Sequence, residues 1–180
     1  TTSPKGGLIG NRFTFPKVSV GATHVMLMAA SLARGETVIE NAAMEPEVVN
    51  LAECLNAMGA KIEGAGTPTI HIQGVQHLSG ARHRVIPDRI ETGTYAMAAA
   101  MAGGNVLLKG AKAESLASMI DVLRRAGISV QDNSEGLRIE RNGQGIEPVN
   151  VDTDPYPGFP TDLQAQLMAL MTKAKGTAMI

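Results

Sequence analysis

Apolar and polar positions alternate along the chain in two rhythms. From Thr23 to Arg34 nearly every residue is small or apolar, a pattern that predicts a helix, with Gly35 as its expected stop. Thr37–Glu40 reads as a strand. Glu45-Pro46-Glu47 opens a second helix, since proline suits the first turn and acids suit its positive end. Val48, Leu51, Cys54 or Leu55, and Met58 fall on one helical stripe that Gly59 ends. Lys61–Glu63 and Thr69–Ile72 alternate apolar with polar around Gly64-Ala65-Gly66-Thr67-Pro68, which predicts two short strands and a turn.

The same order returns. Shifting Ser19–Ile39 by about 70 residues places Thr23 on Thr92, Met28 on Met97, Ala33 on Ala102 and Gly35 on Gly104. A second shift of about that size places Ala33 on Ala174, Gly35 on Gly176 and Ile39 on Ile180. The second copy predicts a helix to Ala102, a strand Val106–Lys109, a helix Ser115–Arg125, and strands Ile128–Gln131 and Leu137–Glu140. One unit is therefore βαβαββ, counting a leading strand before its first helix. Residues 1–16 read as the last strands of an earlier unit, and Arg82–Asp88 as the link between units. The expected class is mixed α/β (α+β), with units sharing a core in which helices are enclosed by sheets.

Composition narrows the function. Net charge is −1 and aromatics are 3%, so neither a basic field nor a stacking platform for nucleic acid is expected. Cys54 is the one cysteine, and the four histidines lack ligand spacing, which argues against a disulfide or a metal site. Cys54 reads as a core thiol. The run Val25–Ala30 is too short to span a bilayer, and no membrane association is expected. Thr1-Thr2-Ser3-Pro4 has no basic, apolar leader and no initiator Met, as expected of an excised or processed segment.

Four stretches are candidates for chemistry. Lys17-Val18-Ser19-Val20-Gly21-Ala22-Thr23 leads into the first helix, where free N–H groups, a hydroxyl, a glycine and a lysine suit a phosphate or diphosphate. A capped helix start with a solvated lysine is the competing reading. Phe159-Pro160-Thr161-Asp162-Leu163-Gln164-Ala165-Gln166 puts Asp162 at a helix start after a proline-rich loop. There it is either a general base in reach of a substrate proton or an ordinary first-turn acid. Pro87-Asp88-Arg89-Ile90-Glu91-Thr92-Gly93-Thr94 forms an ion pair between lobes or the rim of a site. Glu45 and Glu47 cap a helix or face a substrate.

These four stretches and Glu40-Asn41-Ala42-Ala43, in this order over essentially the whole chain, resemble the UDP-N-acetylglucosamine 1-carboxyvinyltransferase family of bacterial enolpyruvyl transferases. The shikimate-pathway transferases share that fold but differ at these motifs. The resemblance implies two lobes of three βαβαββ units each, with about two and a half of the six units here. Residues 1–86 would belong to the first lobe and 87–180 to the second. It implies a cytoplasmic enzyme moving the enolpyruvyl group of phosphoenolpyruvate to the 3-hydroxyl of UDP-N-acetylglucosamine, releasing phosphate, with no metal or organic cofactor. Lys17, Val18, Ser19, Val20 and Gly21 would then hold the sugar nucleotide. Asp162 would be the base on the 3-hydroxyl, with Thr161, Glu45, Asp88 and Arg89 nearby. Met44 stands where the family commonly has arginine. The family's mobile general-acid loop and its Lys-Asn pair would lie upstream of residue 1. This segment alone would then be inactive. A non-catalytic nucleotide-sugar-binding or structural βαβαββ module is the alternative.

Overall fold

The computed structural model describes residues 5–180, and the chain divides into two compact units, Thr1–Ile86 and Pro87–Ile180. The sequence pattern read at residues 1–4 lies outside the described residues. In the first unit the order is β1 (Arg12–Thr14), α1 (Val20–Ser31), β2 (Glu36–Glu40), α2 (Pro46–Ala57), β3 (Lys61–Glu63) and β4 (Thr69–Gln73). This is the βαβαββ order read from the sequence, but its leading strand is Arg12–Thr14, which pairs with β2 here rather than closing an earlier unit. The sheet runs β1-β2-β4-β3, with β1 parallel to β2 and the other pairs antiparallel. Ile39 pairs with Ile70, and Ile62 with Ile72, so these side chains share one face. Leu27 of α1 and Val48, Ala52 and Leu55 of α2 close over that face. Each fully buried Leu, Ile or Val contributes about 1.5–3 kcal/mol of transfer free energy.

The second unit contains α3 (Arg89–Ala102), β5 (Gly104–Lys109), α4 (Ala117–Arg125), β6 (Ser129–Asn133) and β7 (Gly136–Arg141). A 3-10 turn at Thr161–Leu163 leads into α5 (Gln164–Met171). Its sheet order, β5-β7-β6, repeats β2-β4-β3, both pairs again antiparallel. Val130, Leu137 and Ile139 face a core with Met97 and Ala100 of α3, Leu123 of α4, Leu163 of the 3-10 turn, and Leu167 and Leu170 of α5.

Three expectations need correction. Helix α1 ends at Ser31 rather than Arg34, and Gly35 does not cap it. The backbone of Arg34 instead forms an isolated parallel bridge to residues 8–10, its N–H donating to Leu8 O at 2.9 Å while its carbonyl accepts from Gly10 N at 2.8 Å. Gly35, at φ 88°, turns the chain into β2. Helix α3, by contrast, runs to Ala102 and closes at Gly103. Second, among the described residues no leading strand precedes α3 between β4 and Asp88. Instead Asn50 clamps the following segment, its Nδ2 donating to Arg84 O at 3.4 Å and its Oδ1 accepting from Ile86 N at 3.3 Å. Third, Cys54 is half-buried beside the core rather than inside it, because Ala52 and Leu55 take the inward positions of α2.

Candidate functional site

Ser19, Asp88 and Pro160 occupy the N-cap of α1, of α3 and of the turn before α5. They are equivalent repeat positions, so the same backbone corner opens all three copies. The copies differ in charge. The segments starting at Pro46, Arg89 and Thr161 each carry an acid in the first turn, and α1 carries none. Lys17 is exposed just before α1, and Gly21 has open space on its Cα. An exposed lysine and an un-neutralised helix start suit an anion. The Ser19 hydroxyl also accepts from Ala22 N at 3.3 Å. The capping and anion readings of this segment are thus compatible.

This loop is held from both sides. Asn41, in the left-handed region at φ 56°, donates from Nδ2 to Phe15 O at 2.8 Å. Phe15 N donates to Glu40 O at 3.0 Å. Buried Thr23 donates to Ser19 O at 2.8 Å and accepts from Ala43 N at 3.1 Å. Glu40 takes the Thr14 hydroxyl at 2.6 Å and pairs with Arg12. The Thr14 hydrogen bond, opposed by desolvation and aided by the Arg12 charge, holds the Glu40 carboxyl below its ordinary pKa.

Asp162 is exposed and takes no hydrogen bond from the other described residues. It sits in the 3-10 turn rather than at the start of an α-helix, with Leu163 N donating to Pro160 O at 3.0 Å. The loop before it is closed by Asp154 N to Phe159 O at 2.9 Å and Gly158 N to Pro155 O at 2.8 Å. Ser118 ties it to α4 by donating to Gly158 O at 3.1 Å. Thr161 is exposed beside Asp162. Arg89 lies over the Tyr156 ring of the same loop, 5.9 Å from its centroid.

Asp88 caps α3 outright, Oδ1 accepting from Ile90 N at 2.7 Å and Glu91 N at 2.9 Å. Glu45 stands at the N-cap of α2 but its side chain makes no capping bond. It is only 5% exposed, and its Oε2 has no partner among the described residues. Beside the candidate residues, Thr23 and Asn41 hold the loop that leads into α1, and Gln166 Nε2 donates to Thr94 Oγ1 at 2.9 Å. The repeat alignment of Thr23 with Thr92 was the sequence signal for the first of them. Among the described residues no cluster of His, Cys, Asp and Glu could hold a metal ion.

The model of the EPSP synthase (3-phosphoshikimate 1-carboxyvinyltransferase) family matches residues 4–180. The chain belongs to this family. Within it, UDP-N-acetylglucosamine 1-carboxyvinyltransferase of Agrobacterium fabrum (strain C58 / ATCC 33970) is 70% identical over 99% of this chain. The protein of that name from Chelativorans sp. (strain BNC1) is 69% identical over 98% of it. The chain spans 42% and 41% of those relatives' lengths. Among solved structures, the enolpyruvyl transferase NikO from Streptomyces tendae matches 87% of this chain and 38% of its own. That match has a TM-score of 0.72 at 25% identity. The mixed α/β repeats are therefore those of the enolpyruvyl transferase fold.

Proposed function

We propose that the protein containing this segment transfers the enolpyruvyl group of phosphoenolpyruvate to the 3-hydroxyl of UDP-N-acetylglucosamine. This is the first committed step of peptidoglycan synthesis, and it takes place in the cytoplasm. The observation that carries the proposal is the near-70% identity, over almost the whole chain, to relatives bearing that activity's name. In this reading residues 1–86 come from one lobe and 87–180 from the other.

Asp162 takes the proton of the 3-hydroxyl as that oxygen bonds to the enolpyruvyl carbon, and the carbon–oxygen bond to phosphate breaks. Its exposed carboxylate on a tied-down turn supports this role. Lys17 with Val18, Ser19, Val20 and Gly21 holds the diphosphate of the sugar nucleotide. Thr161, Arg89 and Asp88 also contact the substrates, Asp88 while capping α3. Glu45 contributes a buried carboxylate. None of these groups requires a metal.

The test is product mass for the full-length protein. Phosphoenolpyruvate with UDP-N-acetylglucosamine should give the enolpyruvyl ether and phosphate, and shikimate 3-phosphate should give nothing. Turnover of shikimate 3-phosphate alone would overturn the proposal.

A further inference from the structure

Helix α5 and the 3-10 turn before it meet α3 through an apolar stripe, Leu163, Leu167 and Leu170, all fully buried. Apolar contact is non-directional, so a leucine stripe resists separation better than it resists rolling. Asp162 adjoins the first of these leucines and would swing with any roll. A directional contact is needed to fix it, and one lies a turn further along. Gln166 Nε2 donates to Thr94 Oγ1 at 2.9 Å.

The sense of that bond is fixed. Thr94 Oγ1 donates its own proton to Ile90 O at 2.8 Å, so its oxygen is left to accept. A flipped Gln166 amide would bring two acceptors face to face. The amide therefore has one orientation, with Oε1 directed away from Thr94, buried and without a partner. An unpaired buried acceptor is costly and calls for a reason.

We infer that Gln166 is a positioning residue for the Asp162 carboxylate, acting through its hydrogen bond to Thr94 to set the start of α5 against α3. The inference deepens the proposed function and rests on Asp162 being the base. Small displacements of a reacting group lower turnover strongly while leaving substrate affinity nearly intact.

The test uses the full-length transferase, with kcat and KM measured for Gln166→Leu, Thr94→Val, Thr94→Ser, Asp162→Asn and the Gln166→Leu/Asp162→Asn pair. Gln166→Leu and Thr94→Val should each lower kcat roughly tenfold or more with KM nearly unchanged. Thr94→Ser keeps the hydroxyl and should retain turnover. Adding Gln166→Leu to Asp162→Asn should remove nothing further, because the group being positioned is already gone. Equal losses in both backgrounds would make Gln166 merely structural and overturn the inference, as would a normal kcat in Gln166→Leu. If Gln166→Leu fails to fold, the Thr94→Val and Thr94→Ser contrast decides, and equal turnover in those two overturns it. Normal turnover in Asp162→Asn would sink the base assignment itself and this inference with it. An inactive Asp162→Asn beside a normal Gln166→Leu would sink the inference alone.

Discussion

Leu163 fills the space that a side chain on Gly93 would need: a Cβ there would lie 2.6 Å from Leu163 Cδ1 and 2.9 Å from Cδ2. Both residues are buried, and Leu163 directly follows Asp162. The glycine is therefore a notch in α3 that seats the turn bearing the candidate base.

Gly93→Ala should consequently lose more in turnover than in stability. Alanine gains about 1 kcal/mol of helix propensity over glycine. Overpacking against a fully buried leucine costs about 1–3 kcal/mol. The net expectation is a loss of about 1 kcal/mol together with a clear fall in kcat, as Leu163 pushes Asp162 out of place. Thermal melts alongside steady-state kinetics check this, and unchanged kcat would show that the notch does not position Asp162.

Lys17→Ala tests the anion reading of the α1 start. With no acid in the first turn of α1, removal of the lysine leaves this helix start its backbone N–H groups and the Ser19 hydroxyl for a diphosphate. Affinity for UDP-N-acetylglucosamine, measured by calorimetry on the full-length protein, should fall about tenfold or more. The melting temperature should stay put, because Lys17 is exposed. Unchanged affinity would remove Lys17 from the site.

Repeat structure was legible in the sequence because helix starts obey local rules. Thr23 and Thr92 each donate to the N-cap carbonyl four residues back, at 2.8 and 2.7 Å, and their alignment fixed the register of two copies. The third copy has Gln164 at that position and opens as a 3-10 turn. Tertiary competition was not legible. The early end of α1 depends on Leu8 and Gly10 bridging to the Arg34 backbone, and the course of residues 84–86 depends on Asn50. Both partners lie far away in sequence. The site motifs were visible as residue types, whereas the support that Gln166 draws from Thr94 spans 72 positions and leaves no local pattern.

The two repeat threonines should differ in what they contribute. Thr23 is fully buried and also accepts from Ala43 N. Thr23→Val strands that N–H and should cost about 1–3 kcal/mol. Thr92 is half-buried, and its hydroxyl donates only to Asp88 O, so Thr92→Val should cost under about 1 kcal/mol. Denaturant titration of the two variants decides, and equal losses would refute the asymmetry.

Glu40 supplies a pH-dependent contact at the end of β2. Its folded pKa is depressed by the Thr14 hydroxyl and, more weakly, by Arg12, against an opposing desolvation. A depressed carboxylate contributes stability above its unfolded pKa, about 4.3 for an ordinary glutamate. That contribution disappears as pH falls through the lower folded value. Thr14→Val removes the largest cause, so the Glu40 pKa should rise toward the ordinary value and the acid limb of the stability curve should flatten. Carboxyl NMR titration reads this directly. Since Glu40 O also accepts from Phe15 N, wild-type chemical shifts of Phe15 and Asn41 should move with the same titration. If those shifts stay flat while Glu40 titrates, the side-chain contact is independent of the loop that carries Lys17.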